Sequence, residues 1–201
     1  MLLTQKYRNH RFILASKSPR RNDLFAELGL SFSQISIDTE EMVPMSLPAM
    51  ETARYLAIQK TETYTSKIGK LQPDTLLITA DTVVINENQI LGKPKNKTEA
   101  QQYLKALSGK SHFVVSGVCV SDRYKSYHFD DVTKVFFKTL SDDEINYYID
   151  KYQPFDKAGA YGIQEWIGYV GITKIEGSYF NVMGLPVQKL AQILLDWNLE
   201  K

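Results

Sequence analysis

The stretch that decides the fold runs through Phe12, Ile13, Leu14, Ala15, Ser16, Lys17, Ser18, Pro19, Arg20 and Arg21. Four apolar residues make a short buried strand. Ser18 is then a favourable helix N-cap, and Pro19 is pre-organised for the first helical position. Leu24, Phe25 and Leu28 follow at helical spacing, and Gly29 stops the helix. Two arginines in a first helical turn stand against the macrodipole, which favours anions there, so a bound phosphate would relieve the cost. The first-turn N–H groups, the Ser16 and Ser18 hydroxyls and two guanidinium forks suit the oxygens of a polyphosphate. Adjacent helical residues point about 100° apart, so Arg20 and Arg21 have different tasks. Alone, the segment reads as an ordinary capped helix with a solvated arginine pair, because strand-Ser-Pro-helix is common.

Working outward, 201 residues with 43% hydrophobic content can bury a full core, as one large domain or two closely joined lobes. With 24 basic and 23 acidic residues the net charge is +1, so nothing calls for nucleic acid or an anionic membrane. No segment approaches the roughly 20 apolar residues of a membrane span. The single cysteine, Cys119, lies in an apolar run and reads as a buried hydrophobe in a reducing compartment. These features lead us to expect a cytoplasmic protein. His10, His112 and His128 sit in unrelated contexts, offer no triad and read as structural.

Residues 32–37 form a second strand, followed by the acidic loop Asp38, Thr39, Glu40, Glu41. Ser46 and Pro48 open a helix with Met50, Ala53, Leu56 and Ala57 on its apolar face, and Lys60 falls on that face. In isolation Lys60 reads as snorkelling to water. Two apolar runs, residues 76–80 and 83–85, bracket Asp81 and Thr82, and a hairpin returns through Ile90 and Leu91 to Gly92, Lys93 and Pro94. Thr98 and Gln101 suggest a capping box for the next helix, and residues 112–120 a central strand. Residues 124–138 read as two strands turning at Asp130 and Asp131. Ser141 with Glu144 caps a further helix that ends before Pro154. A small-residue loop at 156–164, a strand at 169–175, a loop at 177–184 and a terminal helix after Pro186 complete the chain. Strands alternating with helices, hairpins included, imply an α/β fold with a mixed sheet.

Carboxylates without histidine or cysteine clusters are oxygen ligands that suit Mg²⁺ or Mn²⁺, and a metal could bridge phosphate oxygens to Glu41 and Asp81. Arg20, Arg21, Lys60, Lys93 and Lys157 are cations suited to phosphates.

The order of motifs is more specific than any one of them. Ser16-Lys17-Ser18-Pro19-Arg20-Arg21, Ala80-Asp81-Thr82, Gly92-Lys93-Pro94, Leu107-Ser108-Gly109, Asp156-Lys157-Ala158-Gly159-Ala160-Tyr161-Gly162-Ile163-Gln164 and Gly184-Leu185-Pro186 follow one another as they do in Maf proteins. The chain resembles that family over nearly its whole length, as a single Maf-like domain, residues 1–201. The family is known as septum-formation proteins and as nucleoside triphosphate pyrophosphatases that cut between the α and β phosphates with a divalent metal. The resemblance implies a two-lobed α/β fold, an elongated mixed sheet flanked by helices like that of inosine triphosphatases, with the site between lobes. Asp81-Thr82 and the string Ala160, Tyr161, Gly162, Ile163, Gln164 are intact, which resembles the dTTP and UTP branch rather than the one acting on 7-methylated GTP.

By position, Asp81 resembles the family's proton acceptor, and Arg20, Thr82 and Gln164 its specificity positions. Glu41, Lys60 and Lys93 match positions expected to hold metal and phosphates, with Ser16, Ser18, Arg21 and Lys157 as further phosphate partners. A carboxylate at such a place can bind metal and deprotonate water, and an amide such as Gln164 can pair with a pyrimidine imide. One departure is that the branch usually continues Ile-Gln-Gly, whereas this chain has Glu165 and then Trp166. The implied partner is a nucleoside triphosphate, with no nucleic acid or membrane and with a homodimer left open. The alternatives are a pyrophosphatase for CTP or 7-methyl-GTP, and a nucleotide-binding division regulator with little turnover. Retention of Asp81 argues against the latter.

Overall fold

One mixed sheet runs the length of the molecule in the computed structural model, which describes residues 2–198. Met1 and residues 199–201, the ends of the expected 1–201 domain, lie outside the described residues. The strands are β1 (Arg11–Ala15), β2 (Phe32–Ile35), β3 (Thr75–Asn86), β4 (Gln89–Leu91), β5 (Ser111–Ser121), β6 (Ser126–Phe137) and β7 (Ile172–Glu176). Their order is β2-β1-β3-β5-β6-β7, with β4 also on β3. β1 pairs in parallel with β2 and β3, and the other pairs are antiparallel. The helices are α1 (Leu3–Lys6), α2 (Pro19–Ala26), α3 (Thr52–Ile68), α4 (Lys97–Leu107), α5 (Asp142–Tyr152), α6 (Trp166–Gly171), α7 (Tyr179–Met183) and α8 (Val187–Asp196). Helices α2 and α3 are the crossovers that make the parallel pairings possible. The expected α/β fold with a mixed sheet flanked by helices is the one observed.

Strand periodicity explains how one sheet supports two cores. Side chains alternate faces along a strand. On β3, Leu76, Ile78 and Ala80 enter a core with Phe12, Phe25, Leu190 and Leu194, while Val84 enters a second core with Leu104, Val114, Ile145 and Ile149. Thr82 falls between the two. The alternate residues Val83 and Ile85 pack with Ala53 of α3 on the opposite face. The second helix behaves as its sequence predicts: Ser18 Oγ accepts the Arg21 N–H, Pro19 is its first residue, and Gly29 has φ 67°.

Several local expectations are corrected. Residues 124–138 are not two strands: β6 passes straight through Asp130 and Asp131, which pair with Gly117 and Ser116 of β5. The turn comes earlier, where Asp122 Oδ1 accepts the N–H groups of Tyr124 and Lys125. Asp130 is tolerated in the strand because Arg54 donates to it at 2.8 Å. Residues 169–171 are helical rather than extended, and the 177–184 loop contains α7, capped by Ser178. The cap of α4 is Asn96, which accepts from Glu99, rather than Thr98. Met50 is exposed, not part of an apolar face. Cys119 is buried, as expected. No helix among the described residues is long and apolar enough to cross a membrane.

Candidate active site

The cleft exists because β3 loses a partner halfway along. β1 pairs with β3 only as far as Thr79, and β4 takes up pairing at Val84, so residues 80–83 have no strand partner on that side among the described residues. A cavity of about 710 Å³ opens at this gap, between the two cores. It is lined by every site residue named from the sequence: Ser16, Ser18, Arg20, Arg21, Glu41 and Lys60 from the first part of the chain, and Asp81, Thr82, Lys93, Lys157 and Gln164 from the rest.

On the α3 side Lys60 does not snorkel to water. Its ammonium bonds Asp81 Oδ1 and lies 3.0 Å from Glu41 Oε1, with Lys60 and Asp81 both largely buried. No group of three or more His, Cys, Asp or Glu side chains converges among the described residues. Two carboxylates do converge on one cation, the Lys60 ammonium. That donor set fits a hard divalent ion only if phosphate and water oxygens complete its shell.

The two arginines diverge, as their spacing requires. Arg21 Nε donates to Gly184 O at 2.7 Å, Nη1 to Ala80 O at 3.0 Å and more weakly to Ser16 Oγ at 3.4 Å, and Nη2 to Thr82 Oγ1 at 2.9 Å. A guanidinium has five N–H donors, so a single one is left for a ligand. Burial pulls the Arg21 pKa down and neighbouring Asp81 opposes this, but an arginine starts so high that it keeps its charge. Arg20 instead reaches over the cleft to Asp156 Oδ2 at 2.8 Å. Lys157 donates to Asp156 Oδ1 at 2.7 Å and lies 3.1 Å from Glu165 Oε1. Burial alone would raise Asp156, but hydrogen bonds from Lys157 and Arg20 hold it below the ordinary carboxylate value. Lys93 is exposed at the cleft rim.

Thr82 has little hydrogen-bonding capacity to spare. Ser116 Oγ donates to Asn181 O at 3.0 Å and lies 2.8 Å from Thr82 Oγ1, so it accepts the Thr82 proton while Thr82 accepts from Arg21. Gln164 differs: its Oε1 is buried with no partner among the described residues. A buried acceptor without a donor costs free energy until a ligand supplies one. Gly159 has φ 68°, and a Cβ there would lie 2.9 Å from Val84 Cγ1, which explains the glycine at this point of the loop.

Sequence reasoning passed over Asp156, Ser116, Tyr148 and the bracing role of Glu165. Asp156 opened a motif that the sequence displays, and its adjacency to Lys157 was a usable signal. Ser116 is a lone serine in a strand and gave none. The histidines are not in the cleft. His112 is buried 2.8 Å from the Tyr161 hydroxyl, and burial pushes it down to about 4.

This is a mixed-sheet α/β protein in which cations and carboxylates line one cleft at the gap on the β3 edge. The chain belongs to the Maf family: the Maf-like protein model matches residues 11–197. It is 49% identical over 191 residues to a dTTP/UTP pyrophosphatase of Porphyromonas gingivalis, covering 94% of this chain and 96% of that protein. A protein of the same name from Bacteroides fragilis is 50% identical over 182 residues, covering 90% and 93%. Flavobacterium johnsoniae has another, 46% identical over 193 residues, covering 96% and 98%. The structure of the Staphylococcus aureus Ham1 protein superposes with a TM-score of 0.52 at 16% identity, over 92% of this chain and 98% of that one, a likeness of fold alone.

Proposed function

We propose that this protein hydrolyses dTTP and UTP to the nucleoside monophosphate and pyrophosphate. The observation that carries the reading is the cleft at the β3 gap, where Asp81 faces a cationic wall and the unpaired Gln164 acceptor lies at the same cavity. Relatives named dTTP/UTP pyrophosphatase share about half of the residues.

In this reading Arg20, Lys93, Lys157 and the remaining Arg21 donor take the triphosphate oxygens. Ser16 and Ser18 shape the first turn of α2 beside them. Asp81 accepts a proton from the attacking water, whose oxygen bonds to the α-phosphorus. The bond from that phosphorus to the α–β bridging oxygen breaks, and its electron pair leaves with pyrophosphate. Glu41 and Asp81 would hold a Mg²⁺ or Mn²⁺ ion, which when bound supplies charge neutralisation at the phosphates and a more acidic water. Lys60 keeps the two carboxylates together. Gln164 Oε1 accepts the N3–H of uracil or thymine, a donor that cytosine lacks at that position. Thr82 acts through Arg21, whose plane it fixes, and not on the base directly.

The test is a panel of UTP, dTTP, CTP, GTP and 7-methyl-GTP with Mg²⁺ or Mn²⁺, run on wild type and Gln164→Ala. We expect UTP and dTTP to lead, within a factor set by one methyl group of about 1–3 kcal/mol, and the lead over CTP to shrink in the variant. A wild type that prefers CTP or 7-methyl-GTP, or a preference unchanged in Gln164→Ala, contradicts the reading.

A further inference from the structure

Lys157 lines the cleft, but the carboxylate that braces it from behind does not. We propose that Glu165, anchored by Tyr148, is a positioning residue that holds the Lys157 ammonium ready for substrate. The inference rests on the reading of Lys157 as a phosphate partner.

Four observations support it. Tyr148 is fully buried, and its hydroxyl accepts the Gly162 N–H at 2.9 Å while donating to Glu165 Oε2. Burial first, and then the Glu165 bond, push the Tyr148 pKa up, so the hydroxyl stays a donor. The other carboxylate oxygen, Oε1, is the one 3.1 Å from Lys157 Nζ. Finally, a Cβ on Gly162 would lie 2.9 Å from Glu165 Cδ and 3.1 Å from Lys157 Cε, so the turn closes directly onto the pair.

An ammonium has three N–H groups; Lys157 donates one to Asp156 and forms an ion pair with Glu165 at 3.1 Å, which leaves donor capacity for a phosphate oxygen. A lysine exposed by only 8% needs such partners, because a buried charge without them is costly. The same arrangement answers the question raised by the sequence. Glu165 stands behind Lys157 and does not line the cleft, so it does not meet the amino group of a base. Its influence is on phosphate capture and is the same for every nucleotide.

The experiment measures binding of tripolyphosphate by calorimetry, and kcat and KM with UTP and CTP, in wild type, Glu165→Gln, Lys157→Ala and the double variant. We expect Glu165→Gln to weaken tripolyphosphate binding and raise both KM values roughly tenfold, the size of one charge-assisted hydrogen bond. The ratio of UTP to CTP specificity constants stays at its wild-type value, and the double variant is no worse than Lys157→Ala. Tyr148→Phe keeps the ring and gives a smaller loss in the same direction, with thermal melting reporting that it folds. Wild-type affinity in Glu165→Gln, a further loss on the Lys157→Ala background, or an altered UTP to CTP ratio overturns the proposal. If wild type binds tripolyphosphate but leaves UTP intact, the nucleotide reading fails, and the Glu165→Gln affinity still decides the role of Glu165.

Discussion

The two walls of the cleft carry similar charges but are fixed in different ways. On the α2 wall, Arg21 is tied mainly to backbone carbonyls, Gly184 O and Ala80 O, so its guanidinium is part of the framework. Lys157 on the opposite wall, and Arg20 reaching over to it from α2, are instead held by carboxylate side chains, those of Asp156 and Glu165. Backbone anchors move only if the fold moves, whereas side-chain ion pairs can exchange a carboxylate for a phosphate oxygen. The first wall therefore supplies a fixed field and the second supplies adjustable capture.

The largest expected effect lies on neither cationic wall but at the gap between them. Asp81→Asn should lose roughly 10²-fold to 10⁴-fold in kcat, the usual worth of a general base, with folding retained. Steady-state kinetics with UTP check this, and a variant at full rate would mean that the two walls act on a substrate whose water is activated elsewhere.

The second core holds a buried histidine packed on Phe137 and Tyr161. His112 has a folded pKa lowered to about 4, against an ordinary 6.5. The unfolded chain therefore binds the extra proton first, and stability falls as pH drops from about 6.5 towards 4, by roughly 3 kcal/mol at most. Thermal midpoints across that range should show the loss, and His112→Gln should flatten it. An equal slope in the variant would place the acid sensitivity elsewhere.

The contrast between the arginines is sharper still in kind, though smaller in size. Arg21→Ala should weaken turnover on all nucleotides alike by about 1.5–3 kcal/mol and lower the thermal midpoint as well, since two backbone carbonyls lose their donor. Arg20→Ala should raise KM with little change in melting, because its partner Asp156 is half exposed and such pairs contribute about 0–1 kcal/mol. Paired melting curves and kinetics separate the two, and equal melting losses would erase the distinction between framework and capture.

What could be read from the sequence follows the same division. The strand, cap and first-turn arginines of residues 12–21 were legible because each is set by neighbours in the chain. Asp81 and Thr82 stood out as polar residues in an apolar run, and they face the cleft because the strand beside them ends. Asp130 and Asp131 misled for the same reason: polar residues within apolar runs look like a turn, and Arg54, far along the chain, helps make Asp130 acceptable in a strand. Residues 169–171 read as a strand, but a Cβ at Gly168 would lie 1.8 Å from Ile163 O, a contact between α6 and the loop that local pattern cannot report. Ser116, Tyr148 and Glu165 acquire their tasks from partners across the fold, so no spacing announced them.

The central claim is that water attacks the α-phosphorus of a pyrimidine triphosphate held between these walls. Hydrolysis of UTP in ¹⁸O-labelled water, with mass analysis of both products, tests it most directly. The account predicts UMP carrying the label and unlabelled pyrophosphate. Label in pyrophosphate, or release of orthophosphate, would contradict it.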